Sequence, residues 1–214
     1  METLCGWTGK ILQVDLSNQT ITTLDTREYS PRFLGGIGIG EKLYWDHMAG
    51  PRDAFDPANP LILMTGPLAG TTAPAAPRIS VCGKSPCINP EAFVHASLGG
   101  FFPAELKMAG YDGIIFLGRA EKPVYLSITS EQVQLRDAKH LWGLGNHRTR
   151  ELIQEECGKQ ARIVSIGPGA ENQTRIGVMF TDSAGAASMG FGSVMGSKNL
   201  KAVAVRGTNR IPVA

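Results

Sequence analysis

The sequence predicts an α+β fold, internally duplicated into two similar, mostly antiparallel β-sheet motifs that carry a few short helices. Three observations lead there. First, Ala96-Ser97-Leu98-Gly99-Gly100-Phe101 opens a helical run that leads into the apolar stretch Asp112-Gly113-Ile114-Ile115-Phe116-Leu117-Gly118, and Ala187-Ser188-Met189-Gly190-Phe191-Gly192 opens another that leads into Lys201-Ala202-Val203-Ala204-Val205-Arg206-Gly207. Second, Leu63-Met64-Thr65-Gly66-Pro67 and Val164-Ser165-Ile166-Gly167-Pro168 each break an apolar run with Gly-Pro, and both copies close on Pro-Val, at 123–124 and 212–213. Third, strands gather ahead of each short helix without strict β-α-β alternation, which argues against a doubly wound parallel sheet. Self-similarity at a period near half the chain is the mark of a tandem repeat, here about 1–117 and 118–214 of a single domain spanning 1–214.

The elements follow in order. Gly9 to Leu16 alternates, Ser17-Asn18-Gln19 turns, and Thr20 to Leu24 returns, predicting a β-hairpin. A helix over about Gly38 to Met48 follows Leu34-Gly35-Gly36, and Leu61 to Met64 forms a short strand ended by Gly66-Pro67. Arg78 to Cys82 is a further strand, and Phe102 to Ala109 a helix with Gly110 where a left-handed terminus is wanted. Asn199 takes the matching place in the second copy, and Asn is the usual substitute for Gly there. Between the two, Val124 to Arg136 reads as a second hairpin, Asn146 to Cys157 as a helix stopped by Gly158, and Ala161 to Ile166 and Thr174 to Phe180 as strands, the last weakened by Gly177.

Composition narrows the function classes. At 214 residues, one domain should bury roughly 70% of the surface its unfolded chain exposes. Hydrophobic content of 43% and charged content of 19% exclude general disorder, and a net charge of +2 gives no basis for nucleic acid or acidic lipid as partner. The opening residues resemble no leader, and no run reaches the roughly 18 apolar residues a membrane span needs, so a cytoplasmic location is expected. Cys5, Cys82, Cys87 and Cys157 include no C-x-x-C pair. Cys82 and Cys87 read as two ordinary thiols rather than a metal or redox pair.

The glycine-rich starts carry the chemistry. A helix start offers free N–H donors and partial positive charge, so two such starts in one body point to a ligand with paired phosphate groups. The competing reading is close packing of helix on sheet. Arg78 is the natural cationic partner, since its fork engages a phosphate bidentately. Gly35-Gly36-Ile37-Gly38-Ile39-Gly40 follows a loop containing Pro31 rather than a buried strand, which argues against a dinucleotide fingerprint. His47, His95, His140 and His147 are scattered; His95, two residues before Ser97, is the one nearest the candidate site. No triad, paired-carboxylate or thiolate site emerges, and no catalytic residue is assigned.

Specific motifs then carry a resemblance. Gly6-Trp7-Thr8-Gly9-Lys10-Ile11-Leu12-Gln13-Val14-Asp15-Leu16-Ser17, Thr65-Gly66-Pro67-Leu68-Ala69-Gly70-Thr71, Gly99 through Asp112, Ser165-Ile166-Gly167-Pro168-Gly169-Ala170-Glu171-Asn172 and Met195-Gly196-Ser197-Lys198-Asn199-Leu200-Lys201-Ala202 resemble the N-terminal domain of the aldehyde ferredoxin oxidoreductase family, end to end and in the same order. The resemblance implies a base on which two pyranopterins lie, together holding one tungsten or molybdenum atom. It implies that Arg78 contacts a pterin, that Ser97, Leu98 and Gly99 cradle one phosphate, and that Ala184, Gly185 and Ala186 cradle the other. A magnesium ion bridging the phosphates would take backbone carbonyls from Ser97 and from Gly185 or its neighbour.

Two tracts depart from the family pattern. Ser97-Leu98-Gly99-Gly100 stands where many relatives have Asn-Ser-Gly-Gly, and Ala184-Gly185-Ala186-Ala187-Ser188-Met189-Gly190 stands where they have an arginine-bearing tract. The resemblance further implies oxidation of an aldehyde to a carboxylic acid, with electrons passing through a 4Fe-4S cluster in later domains to ferredoxin. It also implies that the 214-residue chain is inactive without those domains or subunits. A benzoyl-CoA-reductase-like activity and a catalytically empty cofactor-binding or assembly module are the alternatives. A homodimer through small-residue faces is a further expectation.

Overall fold

A computed structural model describes residues 5–48, 50, 53–181 and 185–213. The first hairpin pairs β1 (Lys10–Asp15) with β2 (Thr20–Asp25) in antiparallel register from Lys10↔Asp25 to Asp15↔Thr20. Its turn is fixed by Asp15, whose Oδ1 accepts the backbone N–H groups of Ser17 (2.9 Å) and Asn18 (3.1 Å), the local bonding that makes Asp a turn former. A short α1 (Ser30–Phe33) leads into α2 (Ile37–His47), followed by β3 (Leu61–Thr65), β4 (Ile79–Ser85), β5 (Ala92–Leu98), α3 (Phe102–Met108) and β6 (Gly113–Leu117).

The second half starts with the hairpin β7 (Val124–Thr129) and β8 (Val133–Asp137). Then come α4 (Asn146–Cys157), β9 (Arg162–Ser165), α5 (Pro168–Glu171), β10 (Met179–Phe180), β11 (Ala186–Ala187), α6 (Phe191–Ser197) and β12 (Leu200–Arg206).

Among the described residues the strands form two six-stranded mixed sheets, ordered β2-β1-β6-β3-β4-β5 and, from the hairpin edge, β8-β7-β12-β9-β10-β11. The orders correspond strand for strand. In each sheet the first strand of the hairpin runs parallel to the strand after the short helix, and all other neighbours are antiparallel. Phe102 opens α3 four positions after β5 ends at Leu98, as Phe191 opens α6 four positions after β11 ends at Ala187. Gly110 (φ 98°) and Asn199 (φ 56°) then both turn the chain with positive φ, so the matched helix ends predicted from these unlike residues are present.

Packing locks the halves together. A common core joins Leu12, Val14, Leu63 and Val81 of the first sheet to Leu126, Ile128, Val203 and Val205 of the second, with Phe102, Leu106, Phe191 and Met195 from α3 and α6 between them. α3 packs on β9 and β12 of the opposite sheet, and α6 on both β12 and β3–β4. The outer face of the first sheet is covered by Ile39 and Leu43 of α2, and that of the second by Ile153 of α4.

The fold departs from the sequence reading in two places. Ala96-Ser97-Leu98 does not open a helix; it ends β5, a strand whose outward His95 and Ser97 alternate with buried Ala96 and Leu98. The strand expected from Thr174 to Phe180 shortens to Met179–Phe180, because Gly177 N–H bonds back to the Thr174 carbonyl (3.0 Å) and closes a turn. A side chain at Gly177 would also meet Ala170 Cα at 3.0 Å, so glycine is needed for α5 to approach.

Candidate functional site

The expected site residues that the structure describes, Arg78, Ser97, Leu98, Gly99, Gly185 and Ala186, lie along the edges where the two sheets meet. β5 and β11 are edge strands, one from each sheet, and they touch each other. An edge strand leaves the N–H and C=O groups of alternate residues without a ladder partner, so this seam presents backbone donors and acceptors from both halves. Spacing to the following helix makes Ser97 and Ala186 equivalent; both are exposed, and Leu98 and Ala187 after them are buried.

Arg78 and Ser97 come together. Arg78 lies immediately before β4, and the β4–β5 register sets Ser80 opposite Ser97. That register lets Arg78 Nη1 donate to Ser97 Oγ at 3.1 Å while the guanidinium stays exposed. One of its five donors is thereby used to orient the fork, and the rest face solvent. Leu98 brings only its backbone to this place, since its side chain is wholly buried in the core.

Gly99 and Gly185 touch across the seam. A Cβ at Gly185 would lie 2.7 Å from Thr181 Oγ1 and 2.8 Å from the Gly99 carbonyl oxygen, so only glycine permits this approach. A Cβ at Gly99 would meet nothing within 4 Å, and the space above it is open. Thr181, buried, shares its hydroxyl proton between the carbonyls of Gly99 and Gly185, each 3.2 Å away. The Gly185 carbonyl also accepts Thr181 N–H at 2.9 Å, so it is directed at the residue that follows β10. In an antiparallel ladder the next residue points its polar groups the other way, which sends the carbonyl of Ala186 toward the free edge. Ala184 lies outside the described residues.

Sequence reading did not single out Thr181, whose partner Gly99 is 82 positions away. It also missed a buried polar hub under the first sheet. Asp112 accepts Thr8 N–H (2.9 Å), Gly9 N–H (2.8 Å) and Thr26 Oγ1–H (2.7 Å), and pairs with Lys107 Nζ at 3.3 Å. Lys107 also donates to the carbonyls of Gly6 and Gly66 and lies 4.4 Å from the Trp7 ring centroid. Burial depresses the Lys107 pKa, while Asp112 opposes that shift.

Two further lysines are buried in the second half. Lys201 bonds Glu171 and the carbonyls of Leu144 and Ile166, and Lys198 bonds the carbonyls of Pro57 and Gly118. The available signal was two lysines within Lys198-Asn199-Leu200-Lys201-Ala202-Val203, a run that otherwise reads as a buried strand.

The thiols do not converge on the seam. Cys82 is buried beneath Gly40 of α2, and desolvation together with the Glu41 charge pushes its pKa up to about 12. Cys87 is exposed and bonds the Arg175 carbonyl at 2.9 Å. Among the described residues no three His, Cys, Asp or Glu side chains are grouped to hold a metal, and no helix is long and apolar enough to cross a membrane. Such an arrangement can bind a large polyanionic ligand through backbone and arginine while leaving the ligand itself to react.

The family described as aldehyde ferredoxin oxidoreductase, N-terminal domain, matches residues 11–207. A tungsten-containing aldehyde ferredoxin oxidoreductase of Pyrococcus horikoshii is 44% identical over 212 residues, which cover 98% of this chain and 35% of that protein. An aliphatic sulfonate oxidoreductase, WOR-like subunit, of Pyrococcus furiosus is 35% identical over 225 aligned positions, covering 97% of this chain and 35% of that protein. Among solved structures, the active site complex BamBC of benzoyl coenzyme A reductase with 1,5 dienoyl-CoA superimposes with a TM-score of 0.93 at 38% identity, over 98% of this chain and 32% of its own. The chain therefore spans about a third of the length of these relatives.

Proposed function

The chain belongs to the aldehyde ferredoxin oxidoreductase family, through its N-terminal domain, and on that footing we propose that it is the pterin-cofactor-binding base of an oxidoreductase. The single observation that carries the reading is the seam at Gly99 and Gly185, where matching edges of the two repeats lie close enough for one two-headed ligand to span both. The bound group would be a tungsten or molybdenum bis-pyranopterin, supplying the two-electron oxidation of an aldehyde to a carboxylate.

The residues present fit such a group at three points. Arg78, oriented by Ser97, offers an exposed guanidinium to a pterin or its phosphate. The end of β5 at Ser97 and Leu98, with Gly99 after it, would receive one phosphate through its backbone, with open space above Gly99. Gly185 and Ala186 would receive the other, together with Ala184, which lies outside the described residues. A bridging Mg2+ would take the Ser97 carbonyl and, in the second repeat, the carbonyl of Ala186 in preference to that of Gly185, which is turned to Thr181.

The whole enzyme belongs to the same proposal. The remaining domains or subunits would close over the seam, hold a 4Fe-4S cluster and pass electrons to ferredoxin or a similar iron–sulfur partner in the cytoplasm, with no nucleic acid or membrane involved. Residues 1–214 would act as one domain of two repeats, about 1–117 and 118–214, inactive alone. A second reading, a benzoyl-CoA-reductase-like member, is favoured by the 0.93 TM-score to the BamBC complex.

The test is metal and pterin analysis of the complete protein, made in a host that assembles the cofactor. Bound tungsten or molybdenum with pterin is expected, and Arg78→Ala should lower its occupancy. Metal-free, pterin-free wild-type protein would overturn the reading, and unchanged occupancy in Arg78→Ala would remove that residue from the site. Aldehyde-dependent reduction of ferredoxin separates the first reading from the second, which requires turnover of an aromatic acyl-CoA.

A further inference from the structure

A second polar pocket lies on the opposite, outer face of the second sheet. α4 covers that face at Tyr125, Ala202 and Ala204, and then ends at Cys157. Strand alternation carries the same face onward to Ser127 and Thr129 on β7, and to Arg206 on β12, which pairs with Thr129. Arg136 on β8, opposite Tyr125, completes the rim. The result is a pocket of about 210 Å³ lined by Ser127, Thr129, Arg136, Cys157 and Arg206, with Ala204 as apolar floor.

The donors here exceed the acceptors. Arg206 is half-buried, and its side chain makes no hydrogen bond or ion pair among the described residues. Arg136 makes only long contacts, to Tyr125 Oη and Gln134 Oε1 at 3.4 Å and to Cys157 Sγ at 3.7 Å. Glu156 is the one carboxylate in the lining; its oxygens are engaged by Tyr125 Oη–H (2.5 Å) and His140 Nε2 (2.9 Å), and its single negative charge acts on Arg136 without a hydrogen bond to it, against two guanidinium charges. Two guanidinium groups thus face one small space with unused donors, and a guanidinium has no acceptor role to fall back on.

We propose that this pocket binds a small oxyanion, a carboxylate or phosphate group, between Arg136 and Arg206 with Ser127 beside it. It is separate from the seam at Gly99 and Gly185, and does not depend on the cofactor reading.

Cys157 provides the test. Iodoacetate and iodoacetamide alkylate thiols with the same leaving group, but only iodoacetate is an anion. In the complete protein, peptide mapping after each reagent gives the preference for iodoacetate at Cys157, with exposed Cys87 as internal reference. The expected preference at Cys157 is roughly ten-fold above that at Cys87, saturating with reagent, because clustered positive charge in a pocket concentrates anions. Arg206→Ala, which breaks no bond seen in the fold, should bring Cys157 to the Cys87 value, whereas Arg206→Lys should keep part of the preference. Protection by acetate identifies the carboxylate as ligand, and protection by inorganic phosphate the phosphate.

Should Cys157 resist both reagents, the thermal midpoint decides: acetate or phosphate raises it in the wild type and raises it less in Arg206→Ala. Equal preferences at Cys157 and Cys87, a preference unaffected by Arg206→Ala, or the absence of protection by either anion would each overturn the assignment. So would equal midpoint shifts in wild type and Arg206→Ala, where the thiol is silent.

Discussion

Gly185 lies so close to Gly99 that a single added carbon on Gly185 would stand 2.8 Å from the Gly99 carbonyl oxygen. The contact is one-sided, because the corresponding carbon on Gly99 would meet nothing within 4 Å. Gly185→Ala should therefore cost about 1–3 kcal/mol through overpacking, and Gly99→Ala should stay within about 0.5 kcal/mol of wild type. Gly99→Ala should nevertheless reduce cofactor occupancy, since its methyl projects into the proposed phosphate space. Denaturant midpoints and metal analysis of both variants check this, and a destabilised Gly99→Ala with full occupancy would reverse the argument.

Thr181 holds that seam from beneath by sharing one hydroxyl proton between two carbonyls of different repeats. Thr181→Val keeps the shape and removes the donor. The expected loss is about 1 kcal/mol of stability, the ordinary worth of one buried hydrogen bond, seen as a lower urea midpoint with an unchanged slope. A wild-type midpoint in Thr181→Val would mean that the strand edges hold each other without it.

Asp112 is the anchor of the first sheet. Its side chain and that of Lys107 are fully buried, and it ties Thr8, Gly9 and Thr26 to the start of β6. Asp112→Ala leaves a buried ammonium without its counter-charge and should cost about 3–5 kcal/mol. Pairing it with Lys107→Met should restore part of that loss in chemical denaturation, because removing both charges is less harmful than stranding one. A double variant no better than Asp112→Ala alone would show that the hydrogen bonds of Asp112, and not its charge, carry the effect.

What the sequence reveals and what it hides follow from the range of the interactions. Hairpins, helix stops and the repeat were legible because Asp15, Gly110, Gly158 and Asn199 act within a few residues of themselves. Ser97-Leu98-Gly99-Gly100 misled, since a glycine pair before an apolar run suits the exit from a strand as well as a helix start, and only the pairing of Ser97 with Ser80 decides. Arg78 and Ser97 were both identifiable, yet their contact needs the β4–β5 register. Thr181 was invisible because its partner is distant in sequence. The buried lysines ran against the general rule that lysine stays outside; Lys198 is inside because it supplies donors to the carbonyls of Pro57 and Gly118.

Lys198 makes stability depend on pH. Burial, aided by repulsion from Arg119 and opposed by Asp56, lowers its pKa from 10.5 to about 7. Below pH 7 both folded and unfolded states hold the proton, and the cost of burying the ammonium is fully present. Between pH 7 and 10.5 the unfolded chain still binds the proton that the folded one has released, so this group makes the fold more stable as pH rises. Its contribution to the slope is up to about 1.4 kcal/mol per pH unit. Lys198→Met removes the titrating group while keeping the stem, and should flatten the rise in unfolding free energy between about pH 7 and pH 10 relative to wild type. Parallel slopes in the two proteins would mean that Lys198 keeps its proton in the folded state, held by the two carbonyls alone.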